Sequence, residues 1–190
     1  MKSAWILLVF LLSACSASQP GCAPLPGGET YCLRGRVGAP EFSTLQKIHL
    51  SLGSQDVLLI SRIESDEKGL RMLGMTPFGQ TIMSISWENG RLIGGFQEAL
   101  AGKINPAALL ALVQIALWPA AEVRNGLGSD WILIEEHQRR RLRLANGDNN
   151  PDMLDISWEG ILPYSKLVIS APSLDFRMVA VQLNESGDHE

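Results

Sequence analysis

Leu12-Ser13-Ala14-Cys15 is the run of residues best suited to chemistry. Small side chains precede a thiol. In that arrangement a cysteine accepts a diacylglyceryl group, and a peptidase reaches the backbone just before it. The upstream residues fit this reading. Lys2 supplies a short positive segment, and 4–12 (Ala-Trp-Ile-Leu-Leu-Val-Phe-Leu-Leu) is uninterrupted and apolar. That stretch is too short to span a bilayer, which takes about 20 apolar residues. Residues 1–14 therefore read as a secretory signal removed before Cys15. Each buried methylene of an acyl chain contributes about 0.8 kcal/mol, so several chains on Cys15 would hold the protein firmly to membrane lipid. Ser16 follows, where an aspartate would favour inner-membrane retention in bacterial lipoproteins. The expectation is a lipoprotein on the periplasmic face of the outer membrane.

Two further cysteines remain, Cys22 and Cys32. The periplasm is oxidising, and the Pro- and Gly-rich run between them turns readily. The pair is expected to form a structural disulfide tying the tether to the first strand. The Cys-x-x-Cys spacing of a redox site is absent.

Other reactive groups are sparse. His49, His137 and His189 are far apart and show no zinc spacing. Glu135-Glu136-His137 resembles an acid–base trio, but neighbouring strand residues point to opposite faces. Asp148-Asn149-Asn150-Pro151-Asp152 offers oxygen ligands without the full calcium-loop pattern, and reads as a turn. Arg139-Arg140-Arg141-Leu142-Arg143 reads as the solvated face of an edge strand, whose charges oppose aggregation. No nucleophile elbow, phosphate loop or zinc-protease motif occurs, and no cofactor or metal is expected. The formal net charge of −4 argues against nucleic acid, which calls for a basic face.

The elements that would position any site are mostly strands. Residues 16–28 form a Ser/Pro/Gly-rich tether, so the domain is expected over 29–184, with a tail at 185–190. Strand-like runs cover 30–37, 44–52, 56–64, 70–76, 80–88 and 91–93. In 44–52, Ile48, Leu50 and Leu52 alternate with Lys47, His49 and Ser51. Asn89-Gly90 signals a hairpin. Further runs lie at 130–136, 139–144, 154–158, 166–170 and 175–183. Short turns and the lack of strand–helix alternation predict antiparallel neighbours. The fold class expected is mainly β, a curved half-barrel of ten or eleven strands.

One segment breaks the pattern. Asn105 suits an N-cap, Pro106 the first helical position, and Pro119 ends the run. Between Pro106 and Trp118, Gln114 is the sole polar residue. A helix resting on one side of a sheet normally shows a polar stripe. This one is either a buried core helix or a lid over an apolar cavity, with Leu109, Leu110, Leu112, Val113, Leu117 and Trp118 as its lining. Apolar residues on both faces of 57–60 and 176–181 fit a cavity with outer cover, and equally a plain sandwich.

Curved strands, a central apolar helix ending at Trp118-Pro119, more strands, and Leu73-Gly74-Met75-Thr76-Pro77-Phe78-Gly79-Gln80-Thr81 together resemble the LolB-like outer-membrane lipoproteins. The likeness is closest to an uncharacterised branch whose relatives accompany aryl-polyene pigment biosynthesis genes. It implies a half-barrel with a helical lid and a cavity for an apolar acyl chain, supplied by a periplasmic LolA-like carrier. It also implies that Pro77, Phe78 and Gly79 form a membrane-contact loop. A non-enzymatic carrier or acceptor is expected. A structural lipoprotein with a filled interior and a lipid-processing enzyme are the alternatives.

Overall fold

Period-two burial organises most of this chain. The computed structural model describes residues 21–26, 30–35, 38–97, 104–145 and 152–183. Cys15, the signal segment, most of 148–152 and the tail lie outside the described residues. Twelve strands appear among the described residues: β1 (Cys22–Pro24), β2 (Thr30–Cys32), β3 (Phe42–Leu52), β4 (Gln55–Asp66), β5 (Gly69–Met75), β6 (Thr81–Glu88), β7 (Arg91–Phe96), β8 (Trp131–Glu136), β9 (Arg139–Leu144), β10 (Leu154–Glu159), β11 (Lys166–Ala171) and β12 (Phe176–Gln182). Ten of them form one antiparallel sheet in the order β7-β6-β5-β4-β3-β12-β11-β10-β9-β8. The sheet is curved and not closed. Two helices, α1 (Pro106–Leu117) and α2 (Ala120–Gly126), lie between its edge strands in sequence. This is a half-barrel with a helical lid.

The inner face follows the alternation. Ile48 and Leu50 of β3, Met83, Ile85 and Trp87 of β6, and Ile156 of β10 are buried in one core. The outer face carries no covering layer among the described residues: Leu58 and Val181 stand exposed. The apolar outer positions of β4 and β12 therefore do not reflect burial on both sides.

The hairpin β1–β2 begins earlier than expected. Its first strand lies inside the stretch read as a tether, its second in the expected run 30–37, and the two pair Cys22 with Cys32, Ala23 with Tyr31 and Pro24 with Thr30. Cys22 and Cys32 are joined by a disulfide. Ala23, Leu25 and Tyr31 are buried, and β1 packs against α1. The domain thus starts ahead of residue 29. A Pro- and Gly-rich composition hid a strand whose contacts are tertiary.

Register defines two ends of the half-barrel. Turns 53–54, 76–80 and 172–175 lie at one end, together with the start of α1. Turns 67–68, 89–90, 137–138 and 160–165 lie at the other, together with the end of α1. We call these the mouth rim and the far rim.

Candidate functional site

Helix α1 starts where the sequence signals it. The Asn105 side chain accepts from the backbone N–H of Ala107 (2.9 Å) and Ala108 (3.4 Å), satisfying two of the four free donors of a helix start. Nine of its twelve residues are buried. Ala108 and Leu112, one turn apart, are half-buried. They face a cavity of ≈ 360 Å³ at the mouth rim. Leu109 shares its wall with Leu50 and Leu52 of β3, Phe176 of β12 and Pro24 of β1. The volume falls near the low end of the range of small-molecule sites, about 300–1,000 Å³. The lining is almost wholly apolar, with Asn105 its one polar residue.

Below the cavity runs a narrow apolar crevice of ≈ 20 Å³, sharing Leu50, Ile104 and Leu109 with it. Met72, Met83 and Met178 line the crevice. Unbranched thioether side chains repack at small cost, so this floor is deformable.

The second half of α1 is closed. Gln114, the one polar residue of the helix, is fully buried. It accepts from Tyr31 Oη (3.1 Å) and the Arg34 backbone N–H (2.9 Å), and donates to Arg34 O (3.1 Å). Burial pushes the Tyr31 hydroxyl far above its ordinary pKa, so it stays a neutral donor. From the sheet side, Arg140 reaches the helix end. Its guanidinium donates to Ile115 O, to Trp118 O (2.8 Å) and to Glu135 Oε2 (3.0 Å), and lies over the Trp158 ring. A cation at a helix C-terminus meets both free carbonyls and the negative end of the dipole.

This corrects the reading of the arginine run. Strand β9 is not an edge; β8 flanks it. Alternation sends Arg140 and Leu142 inward, where Arg140 is 3 % exposed. Arg139 and Arg141 point outward and pair with Asp155 and Glu136. The signal was available in the alternation, but charge obscured it.

The six lid residues divide. Leu109 and Leu112 line the cavity. Leu110, Val113 and Leu117 are buried in the packed core. Trp118 lines a separate ≈ 90 Å³ cleft at the far rim with Trp87 and Arg34. The full row of lid residues is thus not one cavity wall, because β1–β2 and α2 also pack against α1.

Pro77, Phe78 and Gly79 form the tip of the β5–β6 hairpin on the mouth rim. Thr76 O accepts from Gly79 N (2.9 Å), and Thr76 N donates to Gln80 O (2.8 Å). Gly79 has φ +82°, a value that favours glycine. Pro77 presets the preceding turn position. The result presents Phe78 to solvent, 97 % exposed. It does not fold back on the core.

A larger hollow, ≈ 530 Å³, is an open trough on the outside of β9–β11. Glu136, Arg139, Glu159 and Lys166 line it, and Lys166 already pairs with Glu159 (2.9 Å). Its charged, solvated walls make it a poor apolar site. Among the described residues no group of His, Cys, Asp or Glu is arranged to hold a metal, and no helix is long and apolar enough to cross a membrane.

No curated protein matches the chain. Residues 43–179 match a family described as "Protein of unknown function (DUF3261)", a stretch running from β3 to β12 that takes in the inner sheet face, α1 and Phe78. On that match the chain belongs to the DUF3261 family.

Proposed function

We propose that this protein is a lipid-anchored, non-enzymatic carrier of the LolB-like kind, held at the periplasmic face of the outer membrane by acyl groups on Cys15. The apolar cavity at the mouth rim takes one acyl chain or lipid-like ligand, delivered by a periplasmic LolA-like carrier. The observation that carries this reading is the ≈ 360 Å³ apolar hollow between the first half of α1 and strands β3 and β12. Ten methylenes buried there would contribute about 8 kcal/mol before association costs. Affinity is then no tighter than about micromolar, which suits hand-over rather than storage. Phe78 is an aromatic contact for a lipid surface during exchange.

A structural lipoprotein is the second reading, and the solid packing beneath the second half of α1 favours it. Native mass spectrometry of the protein purified from membranes distinguishes the two. The carrier reading expects a co-purifying lipid, lost when Ala108 is replaced by Phe. A ligand-free mass under gentle conditions would favour the scaffold.

A further inference from the structure

Gly21, the first described residue, lies at the opposite end from the cavity mouth. Gly21 packs against the Trp87 ring so closely that a Cβ there would sit 2.2 Å from Cη2, and its carbonyl accepts from Leu33 N (2.7 Å). Trp87 is opposite Leu70 in the β5–β6 register, near the 67–68 and 89–90 turns of the far rim. Phe78 lies eight residues beyond Leu70, or about 20–25 Å along the strand at about 3.3 Å per residue. Six Cα-to-Cα steps lead from Cys15 to Gly21. At full extension they reach about 20 Å. Seating the mouth rim in the anchoring bilayer would require that segment to be drawn nearly straight along the domain. Holding it so costs more conformational entropy than burying one Phe side chain returns.

The far rim has its own apolar tip. Ile161, in the 160–165 turn between β10 and β11, is 87 % exposed. Behind it Tyr164 stacks on Trp158 (ring centroids 5.1 Å apart), the kind of amphipathic aromatic support found at lipid interfaces. Contacts run across this rim from Gly21 to Trp87, and from Trp118 through Arg140 to Trp158.

We infer that the far rim rests on the bilayer holding Cys15, with Ile161 entering the interface, and that the cavity mouth and Phe78 face away from that bilayer. The inference rests on acylation of Cys15. Loading then takes place on the periplasmic side, and contact between Phe78 and the anchoring membrane requires the domain to tip over.

The test uses full-length acylated protein in phosphatidylcholine vesicles containing a spin-labelled lipid. Cys15 is acylated and Cys22 is bridged to Cys32, so I161C and F78C each supply a single thiol for an NBD probe. The expected result is several-fold quenching at position 161 and little at 78. Adding about twelve Gly/Ser residues after Ala17 should raise quenching at 78 by freeing the domain to tip. Quenching at 78 equal to that at 161 in the native-length protein overturns the orientation, as does an unquenched probe at 161. Radiolabelled palmitate separates the failures. An unlabelled Cys15 removes both the anchor and this inference, whereas a labelled Cys15 with the opposite quenching pattern removes the orientation alone.

Discussion

The two halves of α1 are built from the same apolar residue types and meet different fates. The first two turns leave Ala108 and Leu112 beside an empty apolar hollow. The second half is held by Gln114 to the disulfide hairpin and by Arg140 to the sheet. Each apolar helix turn can be satisfied by protein or by something else; hydropathy alone does not say which. The difference arises from two polar side chains, Gln114 reaching out of the helix to Tyr31 and Arg34 and Arg140 reaching to its last carbonyls from the sheet, which hold covering layers against it. Where they stop, the cover stops.

Removing those ties should have the largest effects. Arg140→Met leaves the carbonyls of Ile115 and Trp118 without a donor and Glu135 without its partner. A loss of about 3 kcal/mol is expected, since breaking a buried charge network costs about 3–5 kcal/mol. Urea unfolding measures it, and a change below about 1 kcal/mol would show that the contact is incidental. Next is the disulfide. Cys22 and Cys32 are ten residues apart, and closing so short a loop contributes about 2–3 kcal/mol in the chain-entropy view. Thermal unfolding of the C22S/C32S variant gives the value. Because the hairpin covers α1, loss of the bridge should also speed hydrogen exchange at Gln114 more than at Ala108.

Gln114→Leu is the next smaller change. It strands the Tyr31 hydroxyl and the Arg34 N–H, at about 1–3 kcal/mol. Combined with Tyr31→Phe, part of that loss should return, because one buried donor is removed; a double-mutant cycle reads the coupling. The first half of α1 should behave oppositely. Ala108→Phe projects into the hollow and should leave stability within about 1 kcal/mol of wild type while abolishing uptake of an apolar probe. A destabilisation as large as that of Arg140→Met would mean that the space is not free. Phe78→Glu should be the mildest for folding, within about 0.5 kcal/mol, since an exposed tip has no packing to lose. Its effect belongs to lipid transfer between vesicles, where a large loss is expected.

Much of this architecture was legible beforehand. Alternation at Ile48 and Leu50, the Asn89-Gly90 turn, and the Asn105-Pro106 helix start each rest on local physics, and the structure follows them. Phe78 was legible as a hairpin tip because Pro77 and Gly79 leave the chain few alternatives. The ties on α1 were not. Gln114 meets Arg34 from 80 positions away, and no local rule anticipates such a partner. Arg140 was lost among like neighbours, although period-two alternation applied to it as to Leu142. Strand β1 was concealed by Pro and Gly, whose presence marks turns but does not forbid three residues from pairing. The cavity itself depends on where cover ends, which only the assembled layers decide.

The most direct test of the account is titration of the unacylated soluble domain with a fluorescent fatty acid, beside the Ala108→Phe variant. One saturable site near one probe per chain, with micromolar affinity and lost in the variant, is the predicted result. No saturable binding to the wild-type domain, or binding unchanged by Ala108→Phe, would contradict it.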